Sequence, residues 1–97
     1  MSYKLRFHEH ALNEWHKLDA VLRGQFKKKL AERMEEPRVP SAAPSGMRDC
    51  YKIKLRTAGC RLVYRVEDDI LYVTVIAVGK RERLKIYATA RRRMPSE

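Results

Sequence analysis

Every residue from Ile70 to Val78 except Thr74 is apolar. A strand with no polar face belongs in the interior of a sheet, with a neighbour on each edge and cover on both faces. The run is far shorter than the roughly 18 apolar residues needed to span a bilayer, and no other stretch of the chain approaches that length.

The remaining segments supply the neighbours and the cover. Tyr3, Leu5 and Phe7 alternate with Lys4 and Arg6, the pattern of a half-buried strand. From Glu9 the period changes to that of a helix, with Ala11, Leu12, Trp15 and Leu18 on one side. Asp19 is placed to cap a second helix, in which Leu22, Phe26, Leu30 and Met34 recur every four residues. Pro37, Pro40, Pro44 and Gly46 make Glu36 to Gly46 a loop and argue against regular structure there. Tyr51, Ile53 and Leu55 alternate with cations, and after the turn Thr57-Ala58-Gly59 Leu62, Tyr64 and Val66 alternate with Arg61, Val63 and Arg65, so the two runs form a hairpin. Asp68-Asp69 turns the chain into the apolar strand. Arg81 to Arg93 then reads as a short basic helix with Leu84, Ile86, Tyr87 and Ala88 on its apolar side. The expected fold is α+β in the order β-α-α-β-β-β-α. It is an antiparallel-rich four-stranded sheet, packed by an N-terminal helical hairpin and joined by a C-terminal helix. At 97 residues the chain has room for one domain, taken as 1–97.

Composition sets the character of the surface. Hydrophobic residues make up 44% of the chain and charged residues 35%, which implies a thin core under a heavily charged exterior. Twenty-two Lys and Arg face 12 Asp and Glu, for a formal charge of +10. Excess charge of this size attracts polyanions, and nucleic acid is the usual partner of a small domain this basic. The first residues carry no continuous apolar segment of the signal-peptide kind. Cys50 and Cys60 do not amount to a disulfide framework. These features lead us to expect a cytoplasmic protein.

The hairpin concentrates the charge. Its register is limited by parity, because a one-residue slip would send one apolar set into water. Ile53 therefore stands opposite Leu62 or Tyr64. The first register pairs Lys54 with Arg61. The second pairs Lys52 with Arg65 and Arg56 with Arg61. In either, four or five cations share one face, although like charges opposite each other destabilise a sheet. A solvated outer face is the plain reading; an anion site, relieved of repulsion when phosphate arrives, is the reading we favour. Gly79-Lys80-Arg81-Glu82-Arg83 adds cations just after the buried strand, and Tyr87 follows six residues after Arg81. Tyr87 taken alone reads as packing, and it meets Arg81 if Arg81 precedes the first regular turn. Lys27, Lys28 and Lys29 lie on the outer side of the second helix and read first as a solvated face.

Several chemistries lack their residues. There is no Gly-rich phosphate loop, Ser-His-Asp set or close carboxylate pair. His8 and His10 are a weak metal signal without further ligands, and His16 reads as surface. What fits is phosphoryl transfer run by cations. Cleavage of RNA by its own 2′-hydroxyl requires removal of a proton, stabilisation of a phosphorane-like anion and protonation of the leaving oxygen. Crowded Lys and Arg side chains supply the second need directly, and crowding favours a neutral lysine that can act as a base.

These residues resemble the RelE toxins of the RelE/ParE superfamily, nearly end to end. The likeness is carried by Ala11-Leu12-Asn13-Glu14-Trp15, Lys27-Lys28-Lys29-Leu30 and Asp49-Cys50-Tyr51-Lys52-Ile53-Lys54-Leu55-Arg56. It continues in Gly59-Cys60-Arg61-Leu62-Val63-Tyr64, Val78-Gly79-Lys80-Arg81-Glu82-Arg83 and Tyr87. The resemblance implies a toxin of a type II toxin–antitoxin system. Such a toxin cuts mRNA in the ribosomal A site by 2′-hydroxyl attack, leaves a 2′,3′-cyclic phosphate, and needs no metal or other cofactor. It implies a catalytic set of Lys52, Lys54, Arg61, Arg81 and Tyr87, with Arg61 and Lys54 on phosphate charge, Lys52 or Tyr87 assisting deprotonation, and Arg81 on the leaving group. Arg56, Arg65, Lys80, Arg83, Lys27 and Lys28 are expected to bind mRNA and 16S ribosomal RNA. The implied partners are the ribosome, mRNA and a RelB-type antitoxin that wraps the toxin and displaces its C-terminal helix; no membrane is involved.

The sequence departs from the family at Pro44-Ser45-Gly46, where relatives carry a Leu-Arg-Gly-like run, so a core-anchoring leucine and a basic side chain are missing. Two other functions share these features. A ParE-like member would poison DNA gyrase on the same fold, and the Lys52, Lys54, Arg61, Arg81 and Tyr87 set argues against it. A non-catalytic RNA-binding module would explain the charge, but would give no special role to Arg81 or Tyr87.

Overall fold

A computed structural model describes residues 2–44, 46–80 and 85–94. The elements run β1 (Lys4–Phe7), α1 (Glu9–His16), α2 (Ala20–Glu35), β2 (Cys50–Leu55), β3 (Cys60–Glu67), β4 (Tyr72–Lys80) and α3 (Lys85–Arg93). The sheet order is β1-β4-β3-β2, with β1 parallel to β4 and the other pairings antiparallel. The doubly apolar run is therefore an interior strand, as its composition requires.

Two cores lie on opposite faces of the sheet. On one, Ala11, Trp15, Phe26 and Leu30 of the helical hairpin pack on Ile53, Leu62, Tyr64, Val73, Val75 and Val78. On the other, Ile86, Tyr87 and Ala90 of α3 pack on Cys50, Val63, Ile76 and Ala77, with Met47 of the long loop. A β-bulge makes the second core. Val63 pairs with Ala77 and Tyr64 with Val75, so Ile76 is an extra residue on β4. The extra residue interrupts the alternation: Ile76 and Ala77 join the core under α3, while Val75 and Val78 join the other.

Local chemistry fixes the ends of the elements. Asp19 caps α2 by accepting the Leu22 amide at 2.9 Å, and Arg23 donates to the carbonyls of Leu18 at 2.7 Å and His16 at 3.2 Å, groups that the end of α1 leaves open. His8 accepts the His10 amide through Nδ1 at 3.2 Å, so the His-x-His spacing serves as a helix cap. Gly59 turns the β2–β3 hairpin at φ 65°. Leu71, at φ 56°, takes the left-handed conformation between β3 and β4.

Three expectations need correction. Leu12 is 39% exposed, because the buried side of the eight-residue α1 is restricted to Ala11 and Trp15. Ile70 lies in the turn before β4 and is exposed. The proline loop holds one turn of 3-10 helix, Pro40–Ala42, whose first position suits a proline because its amide would be unpaired there anyway. Helix α3 is described from Lys85, and Leu84 lies outside the described residues. The apolar anchors of the loop are Ala42 and Met47, while Pro44 is half-buried and Ser45 is not among the described residues.

Arg38 holds that loop to the rest of the fold. It donates to Asp49 at 3.0 Å and Asp68 at 2.6 Å, and to the Tyr51 hydroxyl at 3.3 Å, while Tyr3 donates to Asp68 at 2.5 Å.

A methyl group at Gly59 meets no atom within 4 Å, so Gly59→Ala isolates the backbone penalty of positive φ. It is expected to lower stability by about 1–2 kcal/mol in urea unfolding. Glu14 and Glu67 are both held below the ordinary carboxylate value of 4.5. Burial opposes their charge, but the bonds from Arg93 and the Val78 amide to Glu14, and from Thr74 and Arg6 to Glu67, outweigh it. Their contribution is complete above the unfolded value and is lost as pH falls through the lower folded values. Urea midpoints between about pH 5 and 3 should therefore fall less steeply for Glu14→Gln and Glu67→Gln than for the parent.

Candidate active site

The sheet selects the register in which Ile53 faces Leu62, which places Lys54 opposite Arg61 and Lys52 opposite Val63. Lys52, Lys54, Arg61 and Arg65 thus share the face of the sheet that carries α3. Arg56 lies just past β2, exposed in the turn. The second core fills the middle of this face, so the cations border a packed helix.

Tyr87 sits in the first turn of α3 and is only 6% exposed. Its hydroxyl accepts a hydrogen bond from Arg61 Nη1 at 3.0 Å. The Arg61 guanidinium carbon is 5.7 Å from the ring centroid and Lys52 Nζ is 5.9 Å away, so two cations converge on one aromatic ring. Arginine donates but cannot accept, so the Tyr87 O–H hydrogen is left to be donated elsewhere. Beside them a cleft of about 260 Å³ is lined by Lys54, Arg56, Arg61, Leu55, Gly59 and Cys60. The cleft thus presents the charged donors of Lys54, Arg56 and Arg61 to an anion, with the buried Tyr87 hydroxyl behind Arg61.

The structure brings together Lys52, Arg61 and Tyr87, sets Lys54 across from Arg61, and puts Arg56 at the rim. The other expected binding residues lie apart. Arg65 stands opposite Cys50, four residues or roughly 13 Å along the strand from Arg61. Lys80 pairs with Cys60 and lines a different cleft, of about 370 Å³, with Glu14, Lys17, Leu18 and Ile86. Lys27 and Lys28 are exposed on α2, across the sheet from Tyr87. Arg81 and Arg83 lie outside the described residues.

Sequence reasoning overlooked Arg33 of α2. Its Nη1 donates to the Tyr64 hydroxyl at 2.8 Å and to the Lys52 carbonyl at 3.3 Å, while Tyr64 donates to the Pro37 carbonyl at 2.6 Å. Arg33 thereby ties the outer edge of β2 to the hairpin helix at the residue that carries Lys52. Burial pushes the Tyr64 hydroxyl pKa up, against the opposing pull of Arg33. Arg33 falls on the apolar stripe of α2, seven residues after Phe26 and three after Leu30, so helical spacing could have marked its half-buried position, although not its partners.

Among the described residues, no three His, Cys, Asp or Glu side chains gather as a metal site would need, and no helix is long and apolar enough to cross a membrane.

Known proteins share this fold. Residues 5–85 match the family model of the ParE toxin of type II toxin–antitoxin systems. The chain is 53% identical over 94 residues to the mRNA interferase toxin RelE of Escherichia coli K12, covering 97% of this chain and 99% of that protein. The mRNA interferase RelE of Shigella flexneri matches with the same identity and coverage. Among solved structures, a substituted E. coli RelE toxin in the free state superposes with a TM-score of 0.90 at 50% identity, covering 98% of this chain and all of that one. The toxin of the intact E. coli RelBE toxin–antitoxin complex superposes with a TM-score of 0.81 at 55% identity, covering 84% of this chain and all of that one. The chain therefore belongs to the RelE-type toxins of the RelE/ParE superfamily.

Proposed function

We propose that the protein is a ribosome-dependent endoribonuclease that cuts mRNA in the A site, halts translation in the cytoplasm, and is silenced by a RelB-type antitoxin. The observation that carries this reading is the convergence of Arg61 and Lys52 on Tyr87, with Lys54 directly across from Arg61. The 2′-hydroxyl attacks the adjacent phosphorus, the bond from phosphorus to the 5′-oxygen breaks, and the products are a 2′,3′-cyclic phosphate and a 5′-hydroxyl. Arg61 and Lys54 take up charge on the non-bridging oxygens as it develops. The proton of the 2′-hydroxyl goes to Lys52 in its neutral form, or to the Tyr87 oxygen as that oxygen passes its own proton to a phosphate oxygen. The leaving 5′-oxygen, served by Arg81, takes up a proton to become the 5′-hydroxyl. The Tyr87 O–H hydrogen, not used by Arg61, is left to donate to a phosphate oxygen of bound RNA.

Dependence on the ribosome follows from the same geometry. The described residues around this set form a small cleft rather than a deep substrate groove, so free mRNA would be held by charge alone. A ribosome that fixes the mRNA backbone supplies the orientation that the toxin does not, and orientation accounts for a large share of such rate enhancement. Arg56, Arg65, Lys80, Arg83, Lys27 and Lys28 then act as phosphate contacts to ribosomal RNA and mRNA around the reaction site.

Mapping of mRNA ends on translating ribosomes after addition of purified protein tests the reading. We expect cuts in the A site, with naked RNA spared, and loss of about 10²–10³ in single-turnover rate for Arg61→Ala and Lys54→Ala. Intact ribosomal mRNA in the presence of folded protein would sink the nuclease reading and make gyrase supercoiling the next assay. Neutralising Lys27, Lys28 or Arg65 should instead weaken ribosome binding and lower its salt slope by about one for each phosphate no longer neutralised, leaving the saturated cleavage rate unchanged. Equal loss of cleavage in those variants at saturation would point to a binding module without a distinct catalytic set.

A further inference from the structure

Tyr87 is only as well placed as the helix that carries it. A nine-residue helix is far below the length at which isolated helices persist in water, so α3 depends on its contacts. Ile86, Tyr87 and Ala90 rest on the second core. The far end is held by a different device. Arg93 grips Glu14 of α1 with two bonds, Nη1 to Oε1 at 2.8 Å and Nη2 to Oε2 at 3.0 Å. The same Nη1 donates to the Ile76 carbonyl at 2.9 Å, at the bulge, and Glu14 Oε1 also accepts the Val78 amide at 3.2 Å. Val78 lies three residues past Val75, the last β4 residue paired with β1.

The pair is partly shielded, with Arg93 and Glu14 side chains 17% and 30% exposed. A two-bond arginine–carboxylate contact fixes orientation as well as distance. Glu14 is itself rigidly based, since Ala11 and Trp15 on the same helix are buried in the first core. Position is thus relayed from the first core through Glu14 to Arg93, along α3, and so to Tyr87 and Arg61. Nothing in the catalytic reading of the family residues uses this pair.

We propose that Glu14 and Arg93 are positioning residues for Tyr87, locking the C-terminal end of α3 so that the Tyr87 ring stays against Arg61 and Lys52. For its effect on cleavage the inference rests on the nuclease reading; for its effect on Tyr87 it rests on geometry alone. A loosened helix would leave the cations in place on their strands and move the hydroxyl, and a displacement of about 1 Å at such a group costs on the order of 100-fold in rate.

The experiment compares the parent with Glu14→Gln, Arg93→Ala, Arg93→Lys and, as a control, Arg6→Ala, which removes an ion pair to Glu67 on another part of the surface. Ring signals of ¹³C-tyrosine-labelled protein are recorded by NMR, with Tyr87→Phe to assign the signal, and single-turnover cleavage is measured on saturating programmed ribosomes. In Glu14→Gln and Arg93→Ala the Tyr87 signal should shift and broaden while those of Tyr51 and Tyr64 stay in place. Arg93→Lys, which keeps the charge but not the two-bond grip, should fall between. Arg6→Ala should disturb Tyr72, which it stacks on at 4.4 Å, and leave Tyr87 alone. The saturated cleavage rate should drop about 10- to 100-fold in Glu14→Gln and Arg93→Ala, with half-saturating ribosome concentration changed less than about twofold. An unmoved Tyr87 signal in the folded variants overturns the proposal, as does a moved signal with an unchanged saturated rate. A parent protein that does not cut would remove the nuclease reading, and the Tyr87 signals would still decide the role of the pair.

Discussion

The bulge in β4 is the constraint on which the rest depends. Strict alternation would send Val73, Val75 and Ala77 to one face and Ile76 and Val78 to the other. The extra residue at Ile76 breaks that rule, so that Val73, Val75 and Val78 serve the helical hairpin while Ile76 and Ala77 together form a patch for α3. Two adjacent apolar residues on one face, joined by Val63, Cys50 and Met47, give a short helix enough surface to dock. Without that docking the hydroxyl of Tyr87 would have no reason to stand beside Arg61. The packing parity of an interior strand therefore decides where Tyr87 sits.

Charge is distributed by a second rule. Three of the cations that hold the fold together are paired with carboxylates: Arg6 with Glu67, Arg38 with Asp49 and Asp68, and Arg93 with Glu14. Lys52 and Arg61 meet no carboxylate among the described residues and are set against the face and hydroxyl of Tyr87 instead. An aromatic ring relieves part of the repulsion between crowded cations without neutralising them. A carboxylate in the same place would bind them more firmly and would also compete with an incoming phosphate. The choice of partner therefore separates Lys52 and Arg61 from the ion-paired Arg6, Arg38 and Arg93.

Features set by local periodicity were legible in the sequence. The interior strand, the Asp19 cap, the Gly59 turn and the two allowed hairpin registers all follow from apolar spacing and turn chemistry, and the structure takes the register with Ile53 opposite Leu62. Of the proposed catalytic set, Lys52, Lys54, Arg61 and Tyr87 fall on the face where α3 packs, although spacing alone gave Tyr87 a packing role. Its burial and its bond to Arg61 show that packing and placement are one contact here. The bulge was hidden because a run apolar on both faces carries no alternation to interrupt. Arg33, Arg38 and the Glu14–Arg93 pair were hidden for another reason. Their partners lie as far as 31, 30 and 79 positions away along the chain, and contacts at that separation leave no periodic trace.

Stability is unevenly shared among these parts. The sheet and helical hairpin enclose the larger core and are bound by strand pairing, whereas α3 contributes three buried side chains and one partly exposed ion pair. Segments with few buried contacts open at lower free energy than the body of a domain. Helix α3 can thus come away while β2 and β3 keep Lys52, Lys54 and Arg61 in register. Detachment would expose the patch at Ile76 and Ala77, and would leave the bulge carbonyl and Glu14 without Arg93. A protein segment that took the place of α3 would need to satisfy all three. It would need an apolar side chain for the patch, a donor for the Ile76 carbonyl and a cation for Glu14.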